Sequence, residues 1–311
     1  MRIVGMIPVY NEADMIGDVV EHLLSQGLEL VILDNGSTDD SYKICERYVE
    51  KGVLRLERIR TEKYEFDLLA QRLYDAAISL GAKWVLLNAA DEFLESPYRN
   101  LTLKEAIETD AQRGYNLIQF NNFEFFPTEK DSHDAEHDVR KRLKYYTWND
   151  DLQFRCWKTY PGIRVTGTAG HYPVFPSKVK PRIPKTKYTL RHYRIRSYEH
   201  GVRKIFEDRL PRYLPEERRA GRHIHYDNFK RHPSYFIVNS ANLIQYRDDH
   251  QWITKKVFDW TWGVQGRPWA HPPKTHLLVQ LANHVPFAVR IWKAMFLRTK
   301  PLEKTEKKRL W

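Results

Sequence analysis

The chain has 311 residues, 42% hydrophobic and 13% aromatic, enough to bury a sizeable core and to exclude wholesale disorder. No apolar run approaches the ~18 residues that cross a bilayer. The opening MRIVGMIPVY reads as a strand rather than a leader, and two cysteines, Cys45 and Cys156, make neither a disulfide framework nor a thiolate zinc site. The net charge of +11 is uneven: residues 1–100 hold 11 Lys/Arg against 18 Asp/Glu, and the remainder 40 against 22. An acidic first part suits a cation, and a basic second part suits phosphates or an anionic surface.

The first hundred residues alternate strand and helix. Ile3 to Val9 predict a strand ending at Pro8-Val9-Tyr10-Asn11-Glu12. Asn11 is a good helix N-cap, and Ile16, Val19, Val20, Leu23 and Leu24 then follow one helical face up to Gly27. Leu28 to Leu33 form a second strand, running into Asp34-Asn35-Gly36-Ser37-Thr38-Asp39-Asp40. A helix from near Ser41, a strand over 53–59, a helix through Phe66, Leu69, Leu73 and Ala77, and a strand from Trp84 to Leu87 follow. That last strand delivers Asn88-Ala89-Ala90-Asp91-Glu92-Phe93. Such alternation implies βαβ units and a parallel sheet, whose ligands sit beyond the carboxyl ends of the strands. The clusters Tyr10 to Glu12, Asp34 to Asp39, and Asp91 with Glu92 therefore converge on one crevice.

Beyond residue 100, Leu103, Ala106 and Ile107 predict a helix, and Tyr115 to Phe126 an aromatic-rich strand. Residues 127–151 read as a polar surface loop, 160–190 as a proline-rich stretch, and Ser197 to Leu210 as a helix.

Pro8-Val9-Tyr10-Asn11-Glu12, Asp34-Asn35-Gly36-Ser37-Thr38-Asp39 and Trp84 to Phe93 resemble, in order and separation, the nucleotide-binding half of the family 2 glycosyltransferases with a GT-A fold, over roughly residues 1–95. Asp91-Glu92-Phe93 resembles the end of an Asp-x-Asp-Glu-Phe metal motif. His192-Tyr193 followed by Arg196-Ser197 resembles a downstream segment of the same branch. The resemblance implies an α/β protein with a Rossmann-like, mostly parallel sheet flanked by helices. The GT-A catalytic domain spans 1–195, with its nucleotide-binding half at 1–95 and its acceptor and metal half at 96–195. A mainly helical, basic extension occupies 196–311.

The same resemblance implies inverting, hexosyl-type transfer from a nucleotide-diphosphate sugar to a glycan or lipid-linked acceptor, with Mn²⁺ or Mg²⁺ as cofactor. This is the chemistry of surface polysaccharide biosynthesis in a cytoplasm. Carried over by residue, Pro8, Tyr10 and Glu12 line the base and ribose pocket, Asp34 binds the base, Asp39 supports that loop and Asp91 binds the metal. One departure stands out: the first Asp of the metal motif is Ala89 here. That bears on ribose contacts and metal affinity more than on the fold.

A cation held by one carboxylate needs further ligands. His192 is a candidate, either as a metal ligand or as a donor to the diphosphate. Lys178 to Lys204 holds ten Lys/Arg and one acid, Glu199, which fits a diphosphate clamp of Arg191, Arg194, Arg196 and Lys204. His171, in a glycine-flanked loop, is a weaker candidate for sugar or acceptor contact. Inversion needs a general base on the acceptor side, and Glu124, Asp150 and Asp151 are the candidates, with no choice among them from sequence.

Pro286 opens a stretch in which Phe287, Ile291, Trp292, Met295 and Phe296 interleave with basic residues, before Lys304, Lys307, Lys308 and Arg309. Residues 286–311 thus resemble an interfacial helix with a polybasic tail, which would attach a cytoplasmic enzyme peripherally to anionic lipid. Packing against the catalytic core is the alternative. Two other functional classes compete. One is a nucleotide-sugar-binding protein whose Ala89 marks lost catalysis. The other is a basic nucleic-acid-binding protein, disfavoured by the acidic first part and the lack of a recognition motif.

Overall fold

The computed structural model describes residues 1–131, 138–165, 172–215, 224–248 and 251–259. His171 and the 286–311 tail lie outside the described residues, which all fall in the compact unit Met1–Pro268.

In chain order the elements begin β1 (Ile3–Val9), α1 (Ile16–Ser25), β2 (Glu29–Asp34), α2 (Ser41–Glu46), β3 (Val53–Arg58), α3 (Phe66–Ser79), β4 (Trp84–Leu87) and β5 (Glu92–Glu95). They continue with α4 (Leu103–Gln112), β6 (Leu117–Phe126), α5 (Val139–Arg142), β7 (Tyr145–Lys158), β8 (Tyr188–His192), α6 (Tyr198–Val202) and β9 (Ile244–Gln245). One sheet runs β3-β2-β1-β4-β7-β6-β8-β5, with β9 pairing on β7. Its first four strands are parallel, as the βαβ alternation requires. From β4 onward the pairings are antiparallel, apart from β6 with β8.

Burial on both faces explains why β1 reads as a continuous apolar run. Ile3, Ile7 and Val9 pack with Ile16, Val19, Val20 and Leu23 of α1. Val4 and Met6 face the opposite way, onto Leu69, Ala70, Leu73 and Ala77 of α3. Each such side chain contributes about 1.5–3 kcal/mol when fully buried. Pro8 is tolerated in this central strand for a definite reason. It lies two residues beyond Met6, where the pairing with β4 ends, so its missing N–H would have faced a partner strand that has already stopped. There the two strands part, and a crevice opens.

Two expectations need correction. Asn11 does not cap α1: it has a left-handed backbone (φ 54°), and α1 begins only at Ile16 after the uncapped Met15. Its side chain instead ties loops together, its Oδ1 accepting from Thr38 N at 2.8 Å and its Nδ2 donating to Asp208 at 2.8 Å. Residues 127–151 are not simply a loop, because Asp150 and Asp151 lie inside the 14-residue strand β7. The register there jumps from Phe120 opposite Gln153 to Asn122 opposite Asn149, a bulge on β7 that re-aims the residues at 150–152.

After α6 the helix widens into a π-turn over Arg203–Arg209 and closes in a 3₁₀ turn at Leu210–Arg212. Ile205 packs with Ile195, Phe126, Phe229, Phe236, Val238 and Phe258, which seats this segment against the end of the sheet. Gly201 is needed there, since any Cβ would collide with the buried ring of Phe236. Among the described residues no helix is long and apolar enough to cross a membrane.

Candidate active site

The carboxyl ends of β1, β2 and β4 and the π-turn border an open crevice lined by Pro8, Tyr10, Glu12, Asn35, Tyr64, Phe66, Ala89, Asp91 and Arg209, among others. The convergence expected of the three loops is what the strand order delivers.

At the β2 end, Asp34 is fully buried. Its Oδ1 accepts from the Gly36 and Ser37 amides at 3.1 Å and lies 3.1 Å from Arg58 Nε. Its Oδ2 is buried without a partner. Asn35 complements it, accepting at Oδ1 from Thr61 while its buried Nδ2 has no acceptor. An unspent acceptor beside an unspent donor is costly unless a ligand satisfies both. Asp39 is a scaffold residue, accepting from Ser41 N, Ser41 Oγ and Ala13 N, and so fastens the second loop to the first. The guanidinium of Arg212 lies 3.9 Å over the Tyr10 ring, and that of Arg209 lies 4.5 Å over Tyr64.

At the β4 end the chemistry is ionic. Lys204 Nζ donates to Glu12 Oε1 and to Asp91 Oδ2, both at 2.7 Å, with all three residues buried. Arg196 grips Asp14 with two bonds of 2.7 Å and reaches Glu12 Oε2 at 2.5 Å. Arg194 donates to Glu124 Oε1 at 2.6 Å. Between these pairs stands His192, with Nε2 3.4 Å from Asp91 and Nδ1 3.5 Å from Glu124. Burial opposes a charge on the ring, yet Asp91 and Glu124 outweigh it and raise the pKa to about 9. Burial likewise opposes the charge on Asp91, but Lys204 and His192 hold that carboxyl well below its usual range.

Arg191 is not brought into this group. Adjacent strand residues face opposite ways, so Arg191 points away from His192, pairs with Glu95 at 2.8 Å and lies over Tyr246 and Trp252. Asp91 and Glu92 also part company. Glu92 accepts from the Ala89 amide at 2.9 Å and pairs with buried Arg155 at 2.7 Å, a structural role that fixes the turn carrying Asp91.

The three candidate bases separate clearly. Glu124 is buried, and although burial would raise its pKa, Arg194 and His192 bring it down to about 2. Asp150 is buried 3.9 Å from Lys256. Asp151 reaches solvent at the bulge, its Oδ2 accepting from Asn149 Nδ2 at 2.8 Å. The bulk packed around its carboxyl, then the charge of Glu124, raise its pKa to about 6. Nearby, Asn122 Oδ1, Asn149 Oδ1 and Glu124 Oε2 are buried acceptors without partners.

Asp91 offers a divalent ion a thin donor set. Ala89 supplies no carboxylate, and Asp91 Oδ2 is taken by Lys204. The described residues hold one carboxylate–histidine group able to take a cation, Glu12, Asp14 and His200, with donor atoms within 4.8 Å of one another. Its oxygens are engaged by Arg196 and Lys204. His200 Nδ1 accepts from the Arg196 amide at 3.3 Å, which leaves the proton on Nε2. Burial and the neighbouring cations Arg196 and Lys204 keep that imidazole neutral.

The sequence model of Glycosyl transferase family 2 matches residues 6–162, half of the chain. The chain belongs to that family. Glycosyltransferase GlyG of Streptococcus pneumoniae serotype 4 is 25% identical over 135 residues, covering 40% of this chain and 44% of its own. The uncharacterized protein MJ0544 of Methanocaldococcus jannaschii is 34% identical over 62 residues, 20% of this chain and 27% of its own. Among solved structures, S. aureus TarS residues 1–349 superpose with a TM-score of 0.34 at 15% identity, covering 51% of this chain and 47% of that one. The complete S. aureus TarS gives 0.38 at 15% identity, covering 73% and 43%. The chain spans less than half the length of each of these relatives. The family match covers the loops that carry Tyr10, Asp34 and Asp91 but stops before His192 and Lys204.

Sequence reasoning missed Asn35, Tyr64, Phe66 and Arg209 in the crevice wall, and Asp14 and His200 beside it. Only Arg209 left a usable signal: it lies five residues after Lys204, one π-helical turn on.

Proposed function

We propose that this chain transfers a sugar from a nucleotide-diphosphate sugar to a hydroxyl of a glycan or glycoconjugate acceptor, with inversion at the anomeric carbon. The observation that carries the reading is the crevice itself. It is lined by Asn35, next to the buried Asp34, with Tyr10, Tyr64 and Phe66, and by Glu12 and Asp91, whose carboxylates are held from behind by Lys204. A nucleobase edge offers the donor and acceptor that Asp34 Oδ2 and Asn35 Nδ2 lack, and its ring suits the aromatic walls. Lys204, Arg194 and Arg196 meet the charge that grows on the departing diphosphate.

Asp151 is the general base of this reading. It must be ionised to accept the acceptor's proton, and a pKa near 6 makes it a better proton acceptor than Glu124, held near 2. Asn122, Asn149 and Glu124 supply acceptors for sugar hydroxyls beside it. Peripheral attachment to an anionic membrane through residues 286–311 belongs to the same proposal, and vesicle flotation with and without that segment tests it.

The decisive experiment is a thermal-shift panel of nucleoside diphosphates, followed by mass spectrometry of matching sugar donors with acceptor. Selective stabilisation by one nucleotide and a glycosylated product support the reading. A non-catalytic nucleotide-sugar binder, the reading that Ala89 favours, would bind the nucleotide but neither hydrolyse nor transfer any donor.

A further inference from the structure

Two carboxylates from different loops, Glu12 after β1 and Asp91 after β4, face one another across the crevice wall, and what joins them is an ammonium group. Lys204 Nζ lies 2.7 Å from an oxygen of each. A bridging divalent ion would occupy a similar position between carboxylates of this kind. The lysine is not a loosely placed surface group. It sits in the π-turn that Gly201 lets approach Phe236 and that Asp208 ties to Asn11, and it is 5% exposed. Meanwhile the position two residues before Asp91 is Ala89, so the second acid that would raise affinity for a hard cation is missing.

We infer that Lys204 is the resident cation of this crevice and that it takes the place of a divalent metal ion in binding and releasing the diphosphate. The inference rests on the sugar-transfer reading above and departs from the Mn²⁺ or Mg²⁺ that the resemblance implies. A lysine ammonium has three N–H donors. Two are spent on Glu12 and Asp91, which hold the group in place, and the third serves an oxygen of the diphosphate. In the reaction the bond from the anomeric carbon to the diphosphate oxygen breaks, and its electron pair leaves with that oxygen. The acceptor oxygen forms the new bond to the same carbon, and its proton passes to Asp151. The charge arriving on the diphosphate meets Lys204, with Arg194 and Arg196 behind it. Their side chains already balance Glu12, Asp14 and Glu124, so the network is paired before any ligand arrives.

The test measures nucleoside diphosphate binding by titration calorimetry for the wild type, Lys204→Ala and Lys204→Arg, each in EDTA and in Mn²⁺ or Mg²⁺. Wild-type affinity is expected to stay within about 2-fold between EDTA and metal, well under the factor of ten that marks 1.4 kcal/mol. Lys204→Ala in EDTA should weaken binding roughly 30-fold or more, as loss of a charge-assisted bond implies, and Mn²⁺ should restore part of it by occupying the vacated space between Glu12 and Asp91. Lys204→Arg guards against misfolding, because it keeps the charge and the pairing. Should Lys204→Ala fail to fold, the wild-type comparison and the metal content of the purified protein decide. Wild-type binding that EDTA abolishes and Mn²⁺ restores overturns the inference and leaves the sugar-transfer reading standing. If no nucleoside diphosphate binds under any condition, that reading itself fails and takes the inference with it.

Discussion

The two ends of the crevice are built on opposite principles. At the Asp34 end, polar atoms are buried without a protein partner, which leaves hydrogen-bonding capacity that a ligand edge can meet. At the Asp91 end almost every charge is matched in advance: Lys204 with Glu12 and Asp91, Arg196 with Glu12 and Asp14, Arg194 with Glu124. The first arrangement selects by complementarity to a neutral, edged molecule. The second is preorganised for an anion and holds its geometry whether or not one is bound. Substitutions at the first end should therefore act on nucleotide affinity, and those at the second on stability and turnover together.

The largest effect is expected at the paired end. Asp91→Ala leaves a buried ammonium with half its partners. It should cost about 3–5 kcal/mol of stability, the scale on which broken buried ion pairs fall, and lower transfer at least ~100-fold. Calorimetric melting and a product assay read both. An unchanged melting temperature would break the contrast between the two ends.

Asp151→Asn comes next. Loss of the base should reduce kcat roughly 10²–10⁴-fold with little change in nucleotide affinity. The pH dependence sharpens the assignment. Because Asp151 works only when ionised, wild-type transfer should rise with pH through a midpoint near 6, and the variant should lose that limb. Glu124 acts with the opposite sense on stability. Its folded pKa of about 2 lies below the unfolded value, so its contribution is present above the ordinary carboxylate range and vanishes as pH falls toward 2.

At the open end, Asp34→Asn keeps the shape but replaces an acceptor with a donor, and should weaken nucleoside diphosphate binding about 10- to 100-fold, the 1.4–3 kcal/mol of a lost bond to a charged group. Melting temperature should change far less than for Asp91→Ala. The smallest effect belongs to Arg191→Ala. That side chain faces Glu95, Tyr246 and Trp252 rather than the crevice, so nucleotide affinity should stay within about 2-fold, under the ~0.5 kcal/mol typical of substitutions away from a site. A large loss of affinity would place Arg191 back in the clamp.

How much of this was legible beforehand follows from the range of each interaction. The parallel strands β1 to β4 announce themselves through local apolar periodicity and turn residues, and their strand ends locate Tyr10, Asp34 and Asp91. Strand β7 hides because its bulge at 150–152 breaks the alternation and its aromatic and polar residues mix, so Asp150 and Asp151 read as loop. The separation of Arg191 from His192 was recoverable, since neighbours in a strand cannot face the same side. By contrast, the bonds of Asn11 to Asp208 and of Glu12 and Asp91 to Lys204 span between 113 and 197 residues of the chain. No local pattern could have matched Lys204 to two particular carboxylates, or set Asn35 and Tyr64 in the same wall as Arg209.

Those distances carry a consequence for biogenesis. Glu12 and Asp91 leave the ribosome long before Lys204, and the bond from Asn11 to Asp208 spans 197 residues. A nascent chain holding only the parallel strands would expose mutually repelling acids at its rim, whose partners His192, Arg196 and Lys204 are translated only later. Competence to take up a nucleotide should thus arrive late and in one step, and nascent chains stalled at successive lengths would reveal the length at which it first appears.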